Sequence, residues 1–155
     1  MNNKKTILVT GGSVRLGGNI CLDLANEGYN IIIHYNKSKK DALKLKKRIL
    51  NIGVSCEIIQ CNFLNKKEVG QLIKKSVKIF GSLYALINNA SLFENDRVIN
   101  FKEKQWEKHL AINLYAPLKL SQDFFNNLPK NNEAHIINIL DQNVINPDKN
   151  FFSYS

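Results

Sequence analysis

Two hydrophobic periodicities alternate along the chain. Short runs at Lys5 to Thr10, Asn30 to Tyr35, Ser55 to Gln60, Leu83 to Asn88 and Ala134 to Leu140 are apolar almost without interruption, the pattern of strands buried on both faces. Between them lie longer stretches with apolar residues at helical spacing: Ile20, Leu24 and Ala25 in the first, Ala42, Leu45 and Ile49 within Lys39 to Ile52, and then Lys66 to Phe80. Gly53 and Gly81 stand where the second and third of these helices should end. A longer helix is predicted from about Lys104 to Asn126. Strands alternating with helices give an α/β fold with a parallel sheet and right-handed crossovers, a Rossmann-type three-layer sandwich. No repeat, low-complexity tract or linker interrupts the pattern, so residues 1–155 are expected to form a single domain.

The first strand runs into Gly11-Gly12-Ser13-Val14-Arg15-Leu16-Gly17-Gly18 and then into the first helix. Glycines allow a tight turn with the backbone close to a ligand, and unpaired N–H groups at the start of a helix make a phosphate cradle. A cation in a first helical turn opposes the helix dipole. Arg15 is therefore expected to meet an anion, holding a pyrophosphate or lining the mouth of the site. Ligands of open α/β sheets bind beyond the carboxyl ends of the strands, and the second strand ends in His34-Tyr35-Asn36-Lys37-Ser38, with no Asp or Glu between Gly28 and Lys40. A carboxylate there would bond the ribose hydroxyls of NAD and repel a 2′-phosphate. His34, Asn36, Lys37 and Ser38 offer that phosphate donors and charge, so NADP(H) is expected over NAD(H).

Composition narrows the classes. The formal charge is +9, from 22 Lys and Arg against 13 Asp and Glu. The lysines spread over Lys37 to Lys47, Lys66 to Lys78 and Lys102 to Lys108, on segments read as outer helices, so no nucleic-acid partner is expected and the charge can serve an anionic cofactor. Cys21, Cys56 and Cys61 form no CxxC pair and are expected to be small buried hydrophobes, with no disulfide or metal site. No segment approaches a membrane span, and Met1-Asn2-Asn3-Lys4-Lys5 leads straight into the first strand. A cytoplasmic protein with no membrane partner is expected.

Thr10-Gly11 with Gly17 fits a TGxxxGxG turn, Asn88-Asn89-Ala90 follows the fourth strand, and Asn113 lies on the long helix. Over its whole length the chain resembles the short-chain dehydrogenase/reductase family. Within it, Arg15 in place of the middle glycine, His34 to Ser38, Asn88 to Phe93 and Ile139-Leu140-Asp141 resemble pteridine reductases and dihydromonapterin reductases. The resemblance implies catalytic roles for Asn113, Asp141 and Tyr154, the last standing thirteen residues after Asp141 as in that branch. It implies that Phe93 stacks on a substrate ring, that Ser91 touches cofactor or substrate, that Arg15 faces the substrate, and that Asp141 assists Tyr154 in delivering a proton. Cofactor contacts are expected at Thr10, Gly11, Arg15, Leu16 and Gly17, at His34, Tyr35, Asn36, Lys37 and Ser38, at Asn62 and Phe63, and at Asn89, Ala90 and Ser91. Asn62 takes the place of an acid that bonds the adenine amino group, and keeps an acceptor oxygen. Pro117 lacks the N–H that would bond the Asn113 carbonyl. In the family, water at this asparagine belongs to a proton relay.

A phenol titrates near 10 and needs a neighbouring cation to act at neutral pH. The family supplies a lysine four residues after its tyrosine, whereas this sequence ends at Ser155. The chain is therefore expected to be the amino-terminal part of a longer enzyme, holding strands one to five of the family's seven, truncated on its C-terminal side and inactive or nearly so at this length. The longer enzyme is expected to be a homotetramer. The fifth strand should be left as an edge with apolar Ile136, Ile137 and Ile139, making the fragment marginally stable or prone to aggregate. The expected reaction is NADPH-dependent hydride transfer to a C=N bond of a pterin-like small molecule. The alternatives are a carbonyl reductase of the same family and a non-catalytic NADP-binding protein.

Overall fold

The computed structural model describes residues 4–155. Met1-Asn2-Asn3, read above as leading into the first strand, lies outside the described residues. Five parallel strands, β1 (Thr6–Val9), β2 (Asn30–Tyr35), β3 (Cys56–Gln60), β4 (Leu83–Asn88) and β5 (His135–Asn138), pair in the order β3-β2-β1-β4-β5. Side chains of a strand alternate between faces, and here each face has its own core. Ile7, Val9, Ile31 and Ile33 pack with Cys21 and Ala25 of α1 (Arg15–Asn26) and with Ala42, Leu45 and Ile49 of α2 (Lys39–Ile52). On the opposite face Leu8, Ile32 and Leu86 pack with Val69, Leu72 and Ile73 of α3 (Lys66–Phe80) and with Ala116, Leu120 and Phe124. The expected sandwich is what forms. Its strand order turns back between β1 and β4, and the crevice above their carboxyl ends is the place such sheets bind ligands.

The long helix predicted over Lys104 to Asn126 is broken into three. It consists of α4 (Glu103–His109), a π-helical stretch Leu110–Tyr115 and α5 (Ala116–Asn126). Pro117 explains the break, since it has no N–H to give and cannot continue an α ladder. The register widens just before it, where the Ala116 N–H bonds the Ala111 carbonyl five residues back. Such π turns cluster at functional positions, and Asn113 lies inside this one.

β5 is shorter than expected and forms the sheet edge, paired with β4 alone. Ile136, Ile137 and Ile139 are each 40–46% exposed, as an uncovered edge requires. All three cysteines are free and buried. Burial pushes the Cys56 and Cys61 thiols up to about 12 and raises Cys21 further still, so they stay protonated and inert.

Candidate active site

At the end of β1 the chain turns through Gly11, whose φ of +59° lies in the left-handed region that favours glycine. A Cβ on Gly11 would lie 2.9 Å from the Ala90 Cα. Asn89 closes the turn from above, donating its Nδ2 to the Thr10 carbonyl at 2.9 Å and to the Gly11 carbonyl at 3.2 Å. The Thr10 hydroxyl is equally committed, donating to the Ile87 carbonyl and accepting the N–H groups of Asn89 and Ala90 at 2.9 and 3.0 Å. Thr10 and Asn89 thus brace the turn with their side chains.

Beyond the turn α1 begins without a cap. Its N-cap is Val14, which has no acceptor, and its first turn carries no acid. The N–H groups there are open to an anion. Arg15 opens the helix with φ +51°, an uncommon conformation for a residue with a side chain, and its side chain is exposed, as is Leu16. Gly17 faces inward, where a Cβ would strike the Gly11 carbonyl oxygen and lie 2.5 Å from Asn89 Nδ2.

The end of β2 divides in two. Asn36 and Lys37 are exposed and Ser38 half-buried, available to a phosphate as expected. His34 and Tyr35 are buried. The His34 ring lies beneath the turn, its Nδ1 accepting the Gly11 N–H at 3.1 Å and its Nε2 3.0 Å from the Cys61 carbonyl. Phe63 stacks on it with centroids 4.4 Å apart. The near-continuous apolar run of β2 carries the His34 and Tyr35 side chains into the core, and Phe63 is buried in the segment after β3. Asn62 uses its Oδ1 to accept the Leu64 N–H at 3.1 Å, and its own N–H donates to Glu68 at 2.7 Å. The oxygen expected to bond adenine already shapes the loop.

On the other side of the crevice the proton-bearing groups converge. Ser91, Asn113, Asp141 and Tyr154 all line one cavity of about 680 Å³ over the ends of β4 and β5. Ser91 and Asp141 are the side chains that act on the Tyr154 phenol. Burial pushes that phenol above its usual value, the Ser91 hydroxyl draws it back and the Asp141 carboxylate adds to the rise. Phe93 meets Tyr154 edge-on at 4.7 Å and stacks on Phe151 at 4.0 Å. Asn113 grips the loop between them, accepting the Leu92 N–H at 2.8 Å and donating to the Leu92 carbonyl at 2.9 Å. A half-exposed aromatic face beside a phenol with two polar partners is equipped to hold a flat ring and pass it a proton.

The short chain dehydrogenase family matches residues 5–155. The chain belongs to that family. Among its relatives, the 3-oxoacyl-(acyl-carrier-protein) reductase FabG of Staphylococcus aureus is 34% identical over 139 residues, covering 90% of this chain and 56% of that protein. This short-chain dehydrogenase thus spans about half the length of the curated relatives it matches. Among solved structures, FolM alternative dihydrofolate reductase 1 from Brucella suis in complex with NADP superposes with a TM-score of 0.91 at 34% identity, over 97% of this chain and 62% of that one. A blue fluorescent protein from a metagenomic library in complex with NADPH gives 0.89 at 25% identity, over 99% and 63%. No helix among the described residues is long and apolar enough to cross a membrane, and no group of metal-binding side chains occurs among them.

Two residues of this short-chain dehydrogenase were not singled out by sequence. Asp96 is buried, and its carboxylate accepts the Ser153 N–H at 2.9 Å and the Ser153 hydroxyl. Its backbone bonds Asn150 and Phe152 as well, so the loop after β4 is laced to the segment that presents Tyr154. His109, also buried, shares a hydrogen between Nδ1 and the Gln105 carbonyl at 3.0 Å and accepts the Glu94 N–H with Nε2. An aspartate in a polar loop reads as a turn residue, and its partner lies 57 residues away. Only the third dimension reveals the pair.

Proposed function

We propose that this chain carries the cofactor-binding half and the proton-donating edge of an NADPH-dependent reductase whose substrate is a pterin-like small molecule with a reducible C=N bond. The convergence of Ser91, Asp141 and Tyr154 beside the half-exposed ring of Phe93 carries the reading. The uncapped start of α1, together with the Gly11 and Gly17 positions a Cβ would fill, fits a dinucleotide pyrophosphate. Arg15, Asn36, Lys37 and Ser38 fit the further phosphate of NADP(H), and no Asp or Glu stands between Gly28 and Lys40 to repel it.

The nicotinamide, when bound, supplies the hydride. The protein's own part is orientation and the proton. Phe93, held by Asn113 through Leu92, provides a stacking platform for a planar substrate. Tyr154 keeps its proton on Oη, since both burial and the neighbouring carboxylate disfavour the phenolate, and can donate it to a substrate nitrogen that gains electrons. Asp141 can accept a hydrogen bond from an amino group of the ring and helps fix its orientation. Turnover further calls for a cation beside the phenol, the role the resemblance gives to a lysine four residues after Tyr154. The shift of Asn113 into a π turn suits the proposed relay water, because the α ladder there is already interrupted.

A carbonyl reductase is the second reading, favoured by the 34% identity to FabG. Titration of this chain with NADPH and NADH, followed through Trp106 and tyrosine fluorescence, tests the cofactor site. Saturable binding with NADPH preferred is expected, and no binding of either removes the proposal. Steady-state turnover of the whole protein on a dihydropterin and on a 3-oxoacyl thioester separates the substrates.

A further inference from the structure

His34 is tied at three points. Its ring Nδ1 accepts the Gly11 N–H, its own carbonyl accepts the Gly12 N–H at 3.0 Å, and its Nε2 meets the Cys61 carbonyl. Only one tautomer satisfies both ring contacts, with Nδ1 bare and the proton on Nε2 donated to Cys61. Burial pushes the imidazole down to about 4, against a small opposing pull from the Cys61 carbonyl, so the ring is neutral near pH 7 and Nδ1 is free to accept. Phe63 lies parallel to the ring within 2° and fixes its plane. A single side chain thus joins the ends of β1, β2 and β3 beneath the phosphate turn.

The turn depends on such a tie. Gly11 is in the left-handed region and pressed against Ala90. Its carbonyl is held by Asn89 and its N–H by His34. With both peptide planes fixed, the next N–H is taken by the His34 carbonyl, and the donors left over are those further along, at the uncapped start of α1. Freeing the Gly11 N–H would let the first plane rotate and the later donors lose their common aim.

We propose that His34 is a positioning residue for the dinucleotide phosphates, acting through its Nδ1 on the Gly11 N–H and touching no part of the cofactor itself. The proposal rests on the reading of the turn as the phosphate site.

Three variants of the full chain separate this role from mere packing. In His34→Asn an amide oxygen stands near the place of Nδ1 and can accept the Gly11 N–H. In His34→Gln the longer amide reaches toward Cys61 and leaves that N–H unpaired, and His34→Phe keeps the stack on Phe63 with no acceptor at all. NADPH titration is expected to find the Asn variant within about threefold of wild type and the Gln and Phe variants weaker by about tenfold or more. Equal affinity of all three, or losses that simply follow their melting temperatures, would overturn the proposal. Histidine ¹⁵N shifts of the wild-type chain at pH 7 give a check that needs no cofactor and no variant. An imine-type Nδ1 with a protonated Nε2 is expected, and the opposite tautomer or an imidazolium refutes the tie. Should wild type bind neither nucleotide, the phosphate reading fails, while these shifts still judge the tie.

Discussion

Gly17 and Gly18 are neighbours in the first turns of one helix, yet the same substitution should move stability in opposite directions. Ala is favoured over Gly in a helix by about 1 kcal/mol, and at Gly18 nothing opposes that gain. The added Cβ would meet the Ser13 backbone at 3.7 Å and Leu45 Cδ2 at 3.8 Å, ordinary contacts that also bury a methyl. At Gly17 the Cβ would run into the Gly11 carbonyl oxygen and Asn89 Nδ2. Relief requires moving Asn89, which gives up its bonds to Thr10 and Gly11 at about 1 kcal/mol each, and also shifting the Gly11 backbone at an overpacking cost of about 1–3 kcal/mol. After the helix gain is credited, Gly17→Ala should destabilise by about 2–4 kcal/mol and Gly18→Ala should stabilise by about 0.5–1 kcal/mol. Urea unfolding of the two variants beside wild type measures both, with an NADPH titration expected to show binding lost in Gly17→Ala and kept in Gly18→Ala. A Gly17→Ala chain as stable as Gly18→Ala, with binding intact, would refute the account of the turn as a space set by Asn89 and Gly11.

Acid should loosen the fold through His34. Its folded value of about 4 lies below the 6.5 of a free imidazole, so between those values the unfolded chain binds the extra proton and stability falls as pH falls, by up to about 3 kcal/mol at the bottom of the window. Urea midpoints at pH 7 and pH 5 should differ for wild type by more than for His34→Asn, and equal shifts would deny the histidine its part. Asp96→Ala leaves the Ser153 N–H unpaired and should cost about 2 kcal/mol, with limited proteolysis showing faster cleavage near residues 148–155. Unchanged cleavage would mean that the segment is held by other contacts. Lys37→Glu puts a carboxylate in place of a cation on the rim and should weaken NADPH by about tenfold while sparing NADH. A titration in which both nucleotides weaken alike would argue against a 2′-phosphate contact there.

The sheet was legible because parallel strands covered on both faces are written as unbroken apolar runs, and β2, β4, α2 and α3 begin and end where those runs and their glycines put them. The same rule, carried one residue further, places His34 inside: a histidine following Ile31-Ile32-Ile33 in a doubly covered strand has no outward face to present. Its polarity suggested a ligand contact, when the partners that satisfy it are backbone groups of two other strands. The π turn was half legible, since Pro117 announces an interrupted ladder but not whether the chain kinks or widens its register. Tyr154 and Asp141 were singled out by the family resemblance, and the structure brings both to one cavity. Asp96 was not, because a latch across 57 residues leaves no local pattern.

The bracing of the phosphate turn has a consequence for the order in which the protein can form. Thr10 and Gly11 are set by Ile87, Asn89 and Ala90, with the Thr10 hydroxyl reaching a carbonyl 77 residues on. On a ribosome adding about 5–20 residues per second, β1 and the glycine turn wait roughly 4–15 s for β4 to be made. Until then the β1 edge that will receive β4 is open, and the turn has His34 alone to shape it. β1 and β2, only a helix apart, can pair early, whereas the β1–β4 pairing must close a loop that long before it returns any energy. Nucleotide affinity is therefore expected late in the formation of this chain, and a nascent chain halted within α3 should contain the whole of the turn's sequence and none of its affinity.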